Sequence, residues 1–110
     1  MARRVERPKR GPTFLREWRK HRGLTQEEAA DQIELSQATL SRIETGTYPY
    51  TQDFLEKAAL AYTCEPAELI MRDPLHTDTL WSIVDQLREV PEEERIRVRA
   101  VIEAMIRKTN

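Results

Sequence analysis

Apolar residues in this chain recur at helical spacing, and each run is bounded by a start or stop signal. Phe14, Leu15 and Trp18 share one side of a segment from Thr13 to His21, with Arg16, Lys20 and His21 on the other; Gly23 then supplies a stop. Thr25 followed three residues later by Glu28 is a capping box, in which the two side chains satisfy backbone amides otherwise left orphaned. The spacing predicts a second helix there, with Ala29, Ala30 and Ile33 as its apolar side. These residues are small enough at Ala29 and Ala30 for the next helix to cross closely. After Glu34 and Leu35, Ser36 is an N-cap for a third helix. There Leu40 and Ile43 point inward, while Gln37, Ala38, Ser41 and Arg42 form an outward polar row. Gly46 ends that helix, and a loop with Pro49 follows. Thr51 caps a fourth helix whose Phe54, Leu55, Ala58 and Ala61 face a core, and a short fifth helix follows Glu65.

Past Arg72-Asp73-Pro74 the pattern changes. Leu80, Ile83, Val84 and Leu87 recur at helical spacing, and Pro91 with Glu92, Glu93 and Glu94 marks another helix start. Val98, Val101, Ile102, Met105 and Ile106 form the stripe of that last helix. The expected organisation is an arm over residues 1–12, a helical domain over 13–72 and a helical hairpin over 73–110. About thirty residues are too few to bury both stripes of such a hairpin unaided. It must therefore pack on the first domain or on another subunit. A homodimer through Leu80, Trp81, Ile83, Val84, Leu87, Val98, Val101, Ile102 and Met105 is the favoured reading, and capping of the same protomer's core is the alternative.

Composition agrees with an all-α fold around one core: 110 residues, 39% hydrophobic and 34% charged, with only three glycines. The net charge of −1 conceals an asymmetry, because residues 1–24 hold nine Lys/Arg against two acids and the remainder nine against seventeen. Arg3, Arg4, Arg7, Lys9 and Arg10, with Pro8 and Pro12, make a self-repelling arm with no apolar face. It reads as a flexible electrostatic footprint for nucleic acid or, more plainly, as a solvated tail. One cysteine rules out an intrachain disulfide and suits a reducing cytosol. The chain has neither an apolar run of membrane-spanning length nor a secretory signal after its basic start, so a cytoplasmic protein with no membrane partner is expected.

Together, Gly23-Leu24-Thr25-Gln26-Glu27-Glu28-Ala29-Ala30 and Ser36-Gln37-Ala38-Thr39-Leu40-Ser41-Arg42-Ile43-Glu44 read as a helix-turn-helix that presents a polar helix to DNA. The stretch RGLTQEEAADQIELSQATLSRIETG, with the closing Glu44-Thr45-Gly46, resembles the lambda-repressor-like (Cro/cI, or XRE) helix-turn-helix family, whose usual form is a five-helix bundle. The resemblance spans about Thr13 to Met71.

That resemblance implies that the helix from Ser36 lies in the major groove of double-stranded DNA. Gln37, Ala38, Thr39 and Arg42 then hold base-reading positions: Gln37 suits adenine, Arg42 guanine or a phosphate, and the methyls of Ala38 and Thr39 a thymine methyl. It likewise implies that Gln26 bonds a phosphate and braces the base-reading glutamine. Thr45, Thr47 and Tyr48 would clamp the backbone, without the lysine or arginine usual in that loop, and Thr25, Ser36 and Ser41 are further phosphate-side candidates. By the same resemblance Arg19 and Glu44 form a partly buried structural ion pair. Glu34 and Thr63 stand where the family usually has glycine, so left-handed strain is expected there.

Little else carries chemistry. Cys64 stands where the resemblance implies a buried apolar residue and has no second cysteine or histidine at ligand spacing, His21 and His76 are isolated, and the acidic pairs begin helices. No enzyme, metal, cofactor or small-molecule ligand is expected. The reading is a dimeric bacterial or phage-encoded transcription regulator, a repressor at a palindromic operator and nucleoid-associated when bound. The alternative is an antitoxin-like module whose C-terminal helices bind a partner protein. A ligand sensor is weaker still.

Overall fold

Seven helices follow one another along the residues described by the computed structural model, 12–76 and 78–109: α1 (Leu15–His21), α2 (Gln26–Ile33), α3 (Gln37–Glu44), α4 (Gln52–Tyr62), α5 (Glu68–Met71), α6 (Thr79–Glu89) and α7 (Glu92–Thr109). The described residues are all-α, with no strand. Arg3, Arg4, Arg7, Lys9 and Arg10 of the basic arm lie outside them. The chain divides into two compact units, one through His76 and one from Thr77.

In the first unit the caps define the helix starts. Thr25 Oγ1 accepts from the Glu28 amide at 3.1 Å, and Glu28 Oε1 accepts from the Thr25 amide at 3.2 Å. Ser36 and Thr51 accept from the amides of Thr39 and Phe54, each at 3.1 Å. Caps of this kind are worth about 1 kcal/mol each. α1 begins at Leu15, later than Thr13, because the Phe14 amide instead donates to the Leu69 carbonyl at 2.8 Å and ties the helix entrance to α5. Gly23 and Gly46 end α1 and α3 with φ of +71° and +81°. Glu34 and Thr63 end α2 and α4 in the same left-handed region, at φ 66° and 56°, although both carry side chains.

Ala29, Ala30 and Ala58 are buried where α2 packs against α3 and α4, so these helices approach on methyl groups. Leu15, Ile33, Leu40, Tyr62 and Leu69 are the largest fully buried side chains. On α4 the inward face is rotated from the sequence expectation. Phe54 and Ala58 are buried, Leu55 and Ala61 only half-buried, and Ala59 and Tyr62 take the deeper places. Trp18 Nε1 donates to the Glu68 and Arg72 carbonyls, each at 2.9 Å, which fixes α1 on the last turn of the unit.

The second unit is a pair of helices joined through Val90 and Pro91. Asp78 caps α6 by accepting from the Trp81 amide at 2.9 Å. Arg95, one turn into α7, reaches back to the last carbonyls of α6 and its cap, donating through Nε to Leu87 and Val90 at 2.9 Å and through Nη2 to Arg88 at 3.1 Å. None of the residues of α6 or α7 is buried.

Candidate nucleic-acid interface

α3 has two unlike sides. Leu40 and Ile43 are buried, while Gln37, Ala38 and Arg42 are exposed and Thr39 and Ser41 half-buried. The inner pair anchors the helix, so the outer row is presented in a fixed register. Ser36 Oγ accepts the Thr39 amide and donates to Thr39 Oγ1 at 2.8 Å, which occupies the threonine hydroxyl within the first turn.

Glu44 closes α3 with a carboxylate that would repel a nearby phosphate if it stood alone. It does not stand alone. Arg19 Nε donates to Glu44 Oε2 at 2.8 Å and Nη2 to Oε1 at 3.2 Å, a forked pair whose side chains are 9% and 2% exposed. Arg19 Nη1 also donates to the Leu24 carbonyl at 2.9 Å. Gln26 Nε2 adds a third hydrogen bond to the carboxylate, at 3.1 Å to Oε1. Three helices thus meet on Glu44, which cancels its charge and locks α1 and α2 to the end of α3. Burying such a pair costs desolvation energy, and loss of one partner strands the other charge.

The turn after α3 is built on the Arg42 carbonyl, which accepts from the Thr47 and Tyr48 amides at 2.9 and 3.1 Å and from Thr45 Oγ1 at 3.2 Å. Thr45 and Thr47 hydroxyls lie 3.2 Å apart. The Arg42 guanidinium lies over the Tyr48 ring, 5.1 Å from its centre, and Nη1 donates to the Tyr48 hydroxyl at 3.2 Å. Thr25 is exposed at the start of α2, and Gln26 is half-buried beside it. Arg16, Lys20 and His21 are exposed on α1.

The residues assigned to subunit pairing are distributed along α6 and α7. Leu80, Ile83, Val101, Ile102 and Met105 are exposed, and Trp81, Val84, Leu87 and Val98 half-buried. No helix among the described residues is long and apolar enough to cross a membrane, and these residues hold no cluster of metal-ligating side chains.

Sequence reasoning missed several supports. Arg22 donates through Nε to the Tyr62 carbonyl and through Nη2 to the Thr63 carbonyl at 2.9 Å, capping the C-terminus of α4 while its guanidinium lies over Trp18. Glu68 is buried, pairs with Arg72 at 3.3 Å and accepts the Glu65 amide at 3.3 Å. Glu65 followed by Pro66 and, three residues on, Glu68 was a legible signal for that turn. Tyr62 is fully buried, and its hydroxyl has no hydrogen-bond partner among the described residues. Burial drives the phenol well above its ordinary pKa; Glu44 adds to the rise and Arg19 opposes it. Burial, with Glu68 beside it, likewise pushes the Cys64 thiol up to about 11.

The helix-turn-helix family model matches residues 15–69, half of the chain. No curated protein matches significantly. Among solved structures, the clp gene regulator ClgR from Corynebacterium glutamicum is similar at 24% identity and a TM-score of 0.51, with 76% of this chain and 80% of that one covered. A repressor from a Salmonella-temperate phage is similar at 19% identity and a TM-score of 0.57, with 87% and 92% covered. The SinR protein/SinI protein complex gives 19% identity and a TM-score of 0.55, with 87% and 95% covered. At these identities the structures are similar in fold.

Proposed function

Because the chain belongs to the XRE-type helix-turn-helix family of DNA-binding regulators, which are not enzymes, we propose that it is a transcriptional repressor that binds a palindromic operator as a homodimer. The observation that carries this reading is the outward row of α3, held in register by the buried Leu40 and Ile43 and by the three-helix bond at Glu44. In the major groove Gln37 bonds adenine in two places, Arg42 reads guanine, and Ala38 and Thr39 meet thymine methyls. A good bidentate pair of this kind contributes about 1–3 kcal/mol of discrimination.

Phosphates flank that row. Glu44 takes one N–H of the Gln26 amide, so the second N–H of that nitrogen is the donor for a phosphate and the amide oxygen the acceptor for Gln37. Thr25, Ser36, Ser41, Thr45 and Thr47 contribute hydroxyls or main-chain amides to the same backbone. Arg3, Arg4, Arg7, Lys9 and Arg10 add sequence-independent contacts, so removal of residues 1–10 weakens binding and flattens its salt dependence. The apolar faces of α6 and α7 pair between two copies, setting the recognition helices about 34 Å apart, one turn of duplex. The protein acts in the cytoplasm of a bacterium, from a chromosomal or phage-borne gene.

The experiment is selection from a random duplex library by the purified protein. Enrichment of a palindrome with half-sites one turn apart is expected. Failure to enrich any sequence with the helical fold intact overturns the reading. The exposed Leu80, Ile102 and Met105 also favour a second reading, in which a different protein covers α6 and α7; a stable monomer that gains a stoichiometric partner on copurification would support it.

A further inference from the structure

Arg42 and Tyr48 are joined twice, through the backbone and through the side chains. The Tyr48 amide is one of three donors on the Arg42 carbonyl, and Gly46, at φ +81°, turns the chain back between them. The tyrosine ring is therefore placed relative to the very residue whose guanidinium lies on it. Side-chain contact is specific as well: the ring lies 5.1 Å beneath the guanidinium carbon, and the hydroxyl accepts from Nη1 at 3.2 Å. Nη1 is thereby occupied, while the opposite edge, Nε and Nη2, bonds nothing among the described residues. That edge is a planar pair of parallel donors, the geometry that matches O6 and N7 of guanine.

We propose that Tyr48 is a positioning residue for Arg42: its ring and hydroxyl hold the guanidinium with the Nε–Nη2 edge presented for bidentate reading of guanine, and it acts through Arg42, not as a phosphate ligand. The inference rests on the DNA-binding reading above, in which Arg42 reads guanine, and deepens it by naming the residue that enforces that geometry. A flexible arginine on an exposed helix end samples phosphate oxygens as readily as base edges. An aromatic shelf under the planar group, with one nitrogen tied to its hydroxyl, favours a single orientation. Sequence alone made Tyr48 a backbone clamp. The two roles differ in what is lost when the ring is removed, because a base contact carries sequence information and a phosphate contact does not.

The test compares wild type, Tyr48→Phe, Tyr48→Leu, Arg42→Ala and the Arg42→Ala/Tyr48→Leu double variant in duplex selection and salt titration, with the ring-current shift of the Arg42 methylene protons read in the free protein. Tyr48→Leu should relax preference by about three- to tenfold only at the G·C pair that Arg42→Ala relaxes. Tyr48→Phe should retain most of it, the double variant should be no worse there than Arg42→Ala, and the salt slope should stay unchanged. The upfield methylene shift should persist in Tyr48→Phe and vanish in Tyr48→Leu. An even loss across all sequences with a salt slope reduced by about one makes Tyr48 a phosphate ligand and overturns the proposal. Absence of the ring-current shift in wild type overturns it while leaving the DNA-binding reading intact. Absence of any enriched sequence, with the shift present, removes the DNA-binding reading and this role with it.

Discussion

Two side-chain-bearing residues, Glu34 and Thr63, hold the left-handed backbone that glycine adopts at no steric cost. Among the described residues the Glu34 side chain makes only a long, exposed ion pair with Lys57, at 3.7 Å, which is worth little in water. Glu34→Gly should therefore stabilise the first unit by about 0.5–1 kcal/mol, raising its melting temperature by a few degrees. Thr63→Gly should gain at least as much, since a β-branched side chain tolerates this region least. An unchanged melting temperature in both variants contradicts the strain. At Tyr62 the buried hydroxyl lacks a partner among the described residues, so Tyr62→Phe should be neutral or slightly stabilising in chemical denaturation. A loss above about 1 kcal/mol would reveal a bonded hydroxyl. Cys64, with its thiol pushed up to about 11, should alkylate slowly at pH 8 until denaturant exposes it. The raised value means that the folded state holds this proton more tightly than the unfolded chain. Its contribution to stability is present below the ordinary value of 9.0 and is lost between there and about 11.

Helix starts were the most legible elements, because capping is local chemistry. Thr25, Ser36 and Thr51 each need only the amide three residues ahead, and the outward row of α3 followed once Leu40 and Ile43 were placed inside. Left-handed ends at Glu34 and Thr63 were also legible, through the family resemblance. Long polar side chains were not, because their destinations are tertiary. Nothing near Arg22 in sequence announces that it caps α4, forty residues away. The same holds for Tyr62, whose burial depends on a rotation of α4 that a period of 3.6 fixes only loosely over three turns. The Arg42–Tyr48 contact escaped for a different reason: the chain between them leaves α3 after Glu44 and turns, where helical spacing gives no guidance. Arg95 is a further case. Its three bonds add to the single C-cap bond of α6, from the Val90 amide to the Leu87 carbonyl, so Arg95→Ala should unravel the last turn of α6, lowering helicity by circular dichroism without altering the melting of the first unit.

For the whole molecule, the central question is how a first unit with a well-buried core is combined with a second whose helices bury no residue. Exposed Leu80, Val101, Ile102 and Met105 in water make a poor free-standing structure, and association of two copies would cover them. Stability of the second unit should then depend on concentration, with each tenfold dilution removing about 1.4 kcal/mol per dimer. Melting independent of concentration, together with a monomeric mass by light scattering, contradicts pairing through α6 and α7. Charge is divided along the same chain: residues 1–24 hold nine Lys/Arg against two acids and the remainder nine against seventeen, and at the end of α3 the Arg19 guanidinium offsets the Glu44 carboxylate. Whether the outer row of α3 reads base edges is decided by the affinity of wild type and Gln37→Ala for the selected duplex and for each single base-pair change within it. Gln37→Ala should abolish discrimination at one A·T pair per half-site, about 1–3 kcal/mol, and leave the other positions as they were. A uniform loss at every position, or none at any, contradicts it.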